Sequence, residues 1–135
     1  MDWVNKYIKI PFLEHGRSED GADCWGLIRT VYKKELNIDL PSLLDYKDTK
    51  DRSSIAKLVE IEKLVQWQEV LPGEEKEFDV LIFKILNVPT HVGLVYKKSN
   101  MIHCEKGKGT YLTDYNKEGH WKKRLYGIFL SLIHI

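Results

Sequence analysis

Only two cysteines, Cys24 and Cys104, occur in 135 residues. A disulfide framework of the kind that staples small secreted domains needs more, and a chain of this length can bury a core without one. A structural zinc site wants four ligands at paired spacings. Neither cysteine has a second cysteine near it, and the adjacent His103 and Cys104 point to opposite faces of a strand, so no metal is expected. No apolar run approaches the roughly 20 residues that cross a bilayer, so no membrane insertion is expected. Neither sign of charge is in excess: 21 Lys+Arg against 20 Asp+Glu leave a formal net charge of +1. That balance argues against a nucleic-acid partner, which calls for a basic stripe. The opening MDWVNKYIKIPF lacks the apolar core of a secretory leader, so the expectation is synthesis in the cytoplasm with no cleaved signal peptide. Repeats, linkers and low-complexity segments are missing too. What is present, 43% hydrophobic and 30% charged residues, is the composition of a folded globular chain. One domain over 1–135 is expected.

The elements follow from periodicity. Asp2 to Ile8 reads as a short helix ended before Pro11. Glu14 to Asp23 is a loop by composition. In CWGLIRTVYKKEL, Leu27, Ile28, Val31, Tyr32 and Leu36 recur at the helical period, Asp23 is a good N-cap, and Cys24 falls in the first turn. Gly26 shares that turn, where a missing side chain lets another segment approach. A loop spans 37–50 and a second helix about Ser53 to Gln66. WQEVL (67–71) reads as an edge strand. FDVLIFKI (78–85), HVGLVYK (91–97), MIHCE (101–105), TYLTDY and RLYGIFLSLI (124–133) read as further strands, with a turn from Asn87 to Thr90. Helices first and then a run of strands with short turns predict an α+β fold with an antiparallel meander.

Three residues share one chemical logic. A thiolate is the nucleophilic form of cysteine, and a helix N-terminus favours it through the dipole and free N–H groups. The same N–H groups can hold an oxyanion when sulfur attacks a carbonyl. Such a cysteine also needs a neighbouring base, usually histidine, oriented by a third group. Strand alternation puts His91, Gly93 and Val95 on one face, and Met101, His103 and Glu105 on one face of the next strand. Cys24, His91 and His103 meet if the helix beginning at Cys24 packs on that face. His15, His120 and His134 read as loop, loop and chain end. Cys104 reads as an inert thiol, Trp25 and Trp121 as packing, and Lys122 and Lys123 as a solvated surface.

The run D-C-W-G-L at 23–27 before an amphipathic helix resembles the nucleophile motif of the NlpC-type cell-wall cysteine peptidases. F-D-V-L-I-F (78–83), H-V-G-L-V-Y (91–96) and M-I-H-C (101–104) resemble, in order, the strand before the catalytic histidine, the histidine motif and the segment with the third polar residue. The resemblance implies a papain-like fold. It also implies hydrolysis of peptidoglycan stem peptides at the bond between γ-D-glutamate and a diamino acid, with no cofactor. Cys24 is then the nucleophile, His91 the general base and His103 the group that orients it. Asp23 and Trp25 lie by the substrate cleft. Where the family often carries a tyrosine upstream of the cysteine, this chain has Phe12. D-C-W-G, the preceding H-G-R-S-E-D-G and the following N-I-D-L-P resemble the subgroup encoded among bacteriophage tail genes, which implies association with the virion and with other tail proteins. Two alternatives accompany this reading: a tail-assembly protein with a weak or vestigial site, and a papain-like amidase or acyltransferase.

Overall fold

The computed structural model describes residues 2–40, 67–86, 88–97, 99–117 and 119–131. Among them, two strands, β1 (Arg17–Ser18) and β2 (Gly21–Ala22), pair as a small hairpin within the expected loop. Helix α1 (Cys24–Val31) follows, ending in a wider turn, Tyr32–Leu36, that Asn37 closes with a left-handed φ of 55°. Strands β3 (Trp67–Val70), β4 (Val80–Ile85), β5 (Val88–Lys97), β6 (Asn100–Glu105), β7 (Gly109–Asp114) and β8 (Leu125–Ser131) form one sheet in the order β3-β8-β4-β5-β6-β7. Every pairing in it is antiparallel. The α+β architecture and the β4–β7 meander match the sequence reading, and WQEVL is an edge strand as expected.

Other expectations need adjustment. The N-terminal helix is a short 3-10 turn, Trp3–Lys6. Val88, Pro89 and Thr90 belong to β5 rather than to a turn, and a bulge opposite Phe83 and Lys84 leaves Thr90 without a cross-strand partner. His120, read as loop, and Arg124, read as the start of the last strand, belong to helix α2 (Gly119–Arg124). The helix expected over Ser53 to Gln66 lies outside the described residues.

Both faces of the sheet are covered. On one, Val80, Ile82, Val92, Leu94, Ile102, Cys104 and Phe129 pack against Leu27, Ile28 and Val31 of α1. Those three helix residues and Tyr32 are fully buried. Burying an aliphatic side chain contributes about 1.5–3 kcal/mol, so docking on the sheet, more than helix propensity, holds this short helix. The Tyr32 hydroxyl donates to the Phe78 carbonyl at 2.6 Å, which satisfies its polar end. On the opposite face, Leu81, Phe83, Val95, Met101 and Ile128 pack with Tyr115 and with Trp121 of α2.

This division corrects one premise. Phe83 pairs with His91, and Met101 pairs with both Val95 and Thr113, so His91 and His103 project to the α2 face. Helix α1 packs on the other face. Strand alternation marks the reason: Val92, Leu94, Ile102 and Cys104 form the apolar stripe that an amphipathic helix covers.

Candidate active site

The segment before Cys24 is clamped to the first turn of α1. Asp23, extended at φ −89° and ψ −174°, accepts from the Gly26 N–H at 2.9 Å as an N-cap. The same carboxylate oxygen receives Arg17 Nη1 at 2.8 Å, and its partner oxygen accepts the His15 N–H at 3.3 Å. Arg17 also donates to the Gly16 carbonyl at 2.9 Å. That carbonyl lies so close to α1 that a Cβ on Gly26 would stand 1.9 Å from its oxygen, which is why the turn carries glycine. On the other side, the Ala22 N–H donates to the Pro11 carbonyl at 3.0 Å, and Phe12 bridges Ala22. Cys104 is buried and its thiol donates to the Ala22 carbonyl at 3.2 Å, a packing role.

Although α1 and the two histidine rings occupy opposite faces, the Cys24 thiol comes up against the backbone beside His91. The β5–β6 ladder runs from Lys97/Asn100 to Leu94/Ile102 and goes no further, while β6 stays paired to β7 as far as Glu105/Gly109. The Val95 N–H and carbonyl bond to Asp79 and Phe78 on the β4 side, so by alternation Val92 directs its N–H toward the β6 side. The Cys24 S–H points at the Thr90 carbonyl at 3.9 Å, and the Val92 and Trp25 N–H groups act on the thiol to lower its pKa. Thr90 and Val92 are the two neighbours of His91, so the thiol sits at the backbone of that residue.

His91 Nε2 lies 2.9 Å from His103 Nδ1, and His103 Nε2 lies 2.8 Å from Thr113 Oγ1. This leaves His91 Nδ1 as its free ring nitrogen. Trp121 covers both rings. It stacks on His91 at 5.0 Å between centroids with planes 29° apart, and meets His103 edge-on at 5.0 Å and 88°. Phe83 supports Trp121 at 5.1 Å and Tyr111 lies 4.5 Å from the His103 ring.

Crowding by protein sets the protonation states. Burial pushes His91 down to about 4, opposed by the nearby Glu105 carboxylate. Burial, helped by His91, pushes His103 down to about 3. Both imidazoles are neutral near pH 7. Burial, reinforced by the Asp23 carboxylate, pushes the Cys24 thiol up to about 12, while the Val92 and Trp25 N–H groups pull the other way. This is opposite to the thiolate expected from the helix N-terminus alone: in the resting site, desolvation outweighs the dipole. The resting pair is thiol and imidazole.

The remaining sequence candidates sit on the α1 side. Asp23 is 1% exposed, its carboxylate engaged by Arg17, Gly26 and His15. Trp25 is half-buried and meets Trp67 at 6.5 Å in an edge-on contact. Phe12 packs on the same core that Cys24 and Trp25 border. Among the described residues, no three His, Cys, Asp or Glu side chains come together as a metal site.

A protein-family model described as the NlpC/P60 family matches residues 9–129. The chain belongs to the NlpC/P60 family. A gamma-DL-glutamyl hydrolase of Bacillus subtilis (strain 168) is 31% identical over 113 residues, which cover 81% of this chain and 23% of that protein. The chain thus spans about a quarter of this relative's length. The NlpC/p60 domain of the peptidoglycan hydrolase SagA superposes with a TM-score of 0.65 at 19% identity, covering 94% of this chain and 92% of that one. NlpC1 from Trichomonas vaginalis superposes with a TM-score of 0.64 at 17% identity, covering 94% and 42%. The fold is shared with these solved structures: papain-like, α+β.

Within this NlpC/P60 fold, the geometry brings together a thiol, a neutral imidazole and a second imidazole that can orient the first. Reading the sequence alone missed two partners. Trp121 packs in the core of the α2 face, as the sequence reading has it, but it also covers both histidines; its helix has no apolar period to announce that. Thr113 lies on the same face as His103 once the β6–β7 register is known, and that register is the signal that would have found it.

Proposed function

We propose that the chain is a cysteine hydrolase that cleaves peptidoglycan stem peptides, at the bond between γ-D-glutamate and the following diamino acid. The observation that carries this is the contact of the Cys24 thiol with the Thr90 carbonyl, next to His91 in the chain, with the His91 ring tied to His103 at 2.9 Å. The names of the relatives, a gamma-DL-glutamyl hydrolase and a peptidoglycan hydrolase, support the substrate class. In the first half-reaction the Cys24 sulfur attacks the γ-carbonyl carbon while its proton passes to His91 Nδ1. The Cys24 N–H, at the first helical position, has no helical acceptor and is placed to hold the oxyanion. Collapse breaks the C–N bond, and His91 returns the proton to the departing amine. In the second, His91 takes a proton from water, the hydroxide attacks the thioester carbonyl, the C–S bond breaks to release the acid, and His91 returns the proton to the Cys24 sulfur.

We also propose that the enzyme works from a phage tail, where it opens the wall locally. The D-C-W-G, H-G-R-S-E-D-G and N-I-D-L-P segments support this reading. The test is digestion of purified sacculi. New free γ-glutamyl carboxyls and diamino-acid amines, identified by fragment mass and absent with Cys24→Ala, are expected. Intact sacculi with folded wild-type protein would overturn the hydrolase reading and favour an assembly role, to which the missing hydroxyl at Phe12 already lends weight. Fragments cut at an N-acetylmuramoyl amide would replace the proposed bond. Detection of the chain in purified virions by mass spectrometry tests the tail assignment separately.

A further inference from the structure

The geometry points to Thr113 as a positioning residue that fixes the tautomer of both histidines through its hydroxyl. This rests on the proposed role of His91 as base. The chain of contacts is His91 Nε2 to His103 Nδ1 at 2.9 Å and His103 Nε2 to Thr113 Oγ1 at 2.8 Å. Each neutral ring carries one proton, so the contacts run in one sense or the other. In the first sense His91 Nε2–H donates to His103 Nδ1, His103 Nε2–H donates to Thr113 Oγ1, and His91 Nδ1 keeps a lone pair for the thiol proton. In the reverse sense Thr113 donates, His103 Nδ1–H donates to His91, and the remaining proton sits on His91 Nδ1. A ring protonated there cannot act as base.

The Thr113 hydroxyl can accept in the first sense and donate in the reverse one; the first is the one that leaves His91 able to act as base. Thr113 is 4% exposed on β7 and His103 is fully buried, so water does not compete for the His103 N–H. Met101 pairs with Thr113 and Tyr111 with His103, which sets the hydroxyl diagonally beside the ring. The contact also fixes ring orientation: with Nε2 bound to Thr113, Nδ1 faces His91. When His91 becomes imidazolium, its Nε2–H is a stronger donor, and His103 can receive it only if its own proton remains on Nε2. Thr113 touches neither the thiol nor the attacked carbonyl; it acts through His103.

The test uses the full chain. Long-range ¹H–¹⁵N spectra of the wild type are expected to show the Nε2–H tautomer at both His91 and His103; an Nδ1–H tautomer at either overturns the inference, whether or not sacculi are cut. In sacculus digestion, Thr113→Val is expected to lower kcat by about 10- to 100-fold with KM within about 2-fold, and Thr113→Ser to restore kcat to within about 3-fold. The loss stays below the roughly 10⁴-fold seen where the orienting group itself is replaced and the base takes the wrong tautomer. Wild-type kcat and unchanged ring tautomers in a folded Thr113→Val protein would overturn it. If Thr113→Val does not fold, Thr113→Ala takes its place under the same criteria, and the wild-type spectra decide independently of either variant. Inactive wild-type protein showing the expected tautomers would mean that the hydrolase reading had failed while the ring assignment stood.

Discussion

At Gly26 one hydrogen atom in place of a methyl group decides how the nucleophile loop can sit. A Cβ there meets the Gly16 carbonyl oxygen at 1.9 Å, and the obstacle is backbone, which cannot swing aside. Gly26→Ala is expected to destabilise the fold by about 1–3 kcal/mol, the usual scale of overpacking, as measured by urea unfolding; unchanged stability would mean that the loop shifts freely. The Cys24–His91 pair offers a second test at this scale. Cys24 is pushed up to about 12 and His91 down to about 4 by burial. The neutral pair therefore prevails across the intervening range. The expected kcat/KM on stem peptides rises as His91 loses its proton near pH 4, then stays level through pH 10. A falling limb near pH 8–9 would mean a thiolate–imidazolium pair instead. For the same reason alkylation of Cys24 by iodoacetamide is expected to accelerate steadily up to pH 10, with no plateau at neutral pH.

Among the elements, α1 and the strands β4 to β7 were legible in the sequence because their signals are local. Asp23 caps, Leu27, Ile28, Val31 and Tyr32 repeat at the helical period, and strand segments are bounded by turns. Two features were not. The bulge opposite Phe83 and Lys84, where Thr90 meets the Cys24 thiol, is a property of register, which no single segment encodes. Helix α2 is too short for a period, and its role depends on where β8 returns. That strand enters between β3 and β4, a non-local pairing. Because α2 presents Trp121 to both histidine rings, Trp121→Phe is expected to shift the His91 ring and lower kcat by about 10-fold with little change in KM. A misplacement of 1 Å can cost up to about 10²-fold. Unchanged kcat would reduce Trp121 to packing.

For the whole molecule, the two histidines make acid the weak side. Folded His91 and His103 lie near 4 and 3, against 6.5 when unperturbed. Between these values the unfolded chain binds protons that the native state refuses, so stability is present above about pH 6.5 and is lost as pH falls toward 3. The loss is expected to total at most on the order of 8 kcal/mol, since each unit of depression is worth about 1.4 kcal/mol. Urea midpoints measured from pH 7.5 to pH 4 should fall steadily; His103→Gln should flatten the slope, and an unaltered slope would contradict the assignment. The chain's division into an α1 face and an α2 face also explains why the candidate site residues were legible singly and their arrangement was not. Cys24, His91 and His103 each stood out by type and local setting, but the helix that begins at Cys24 and the two rings lie on opposite faces of the sheet.

The central claim is that Cys24 forms a covalent bond to the substrate carbonyl. Acid-quenched mixtures of the protein with a γ-D-glutamyl-diamino acid stem peptide, analysed by mass spectrometry of the intact chain and its proteolytic fragments, test this directly. The expected result is a transient acyl adduct on the fragment bearing Cys24, appearing before free product accumulates and absent with Cys24→Ala. Product formation without any adduct, undiminished in Cys24→Ala, would contradict the account.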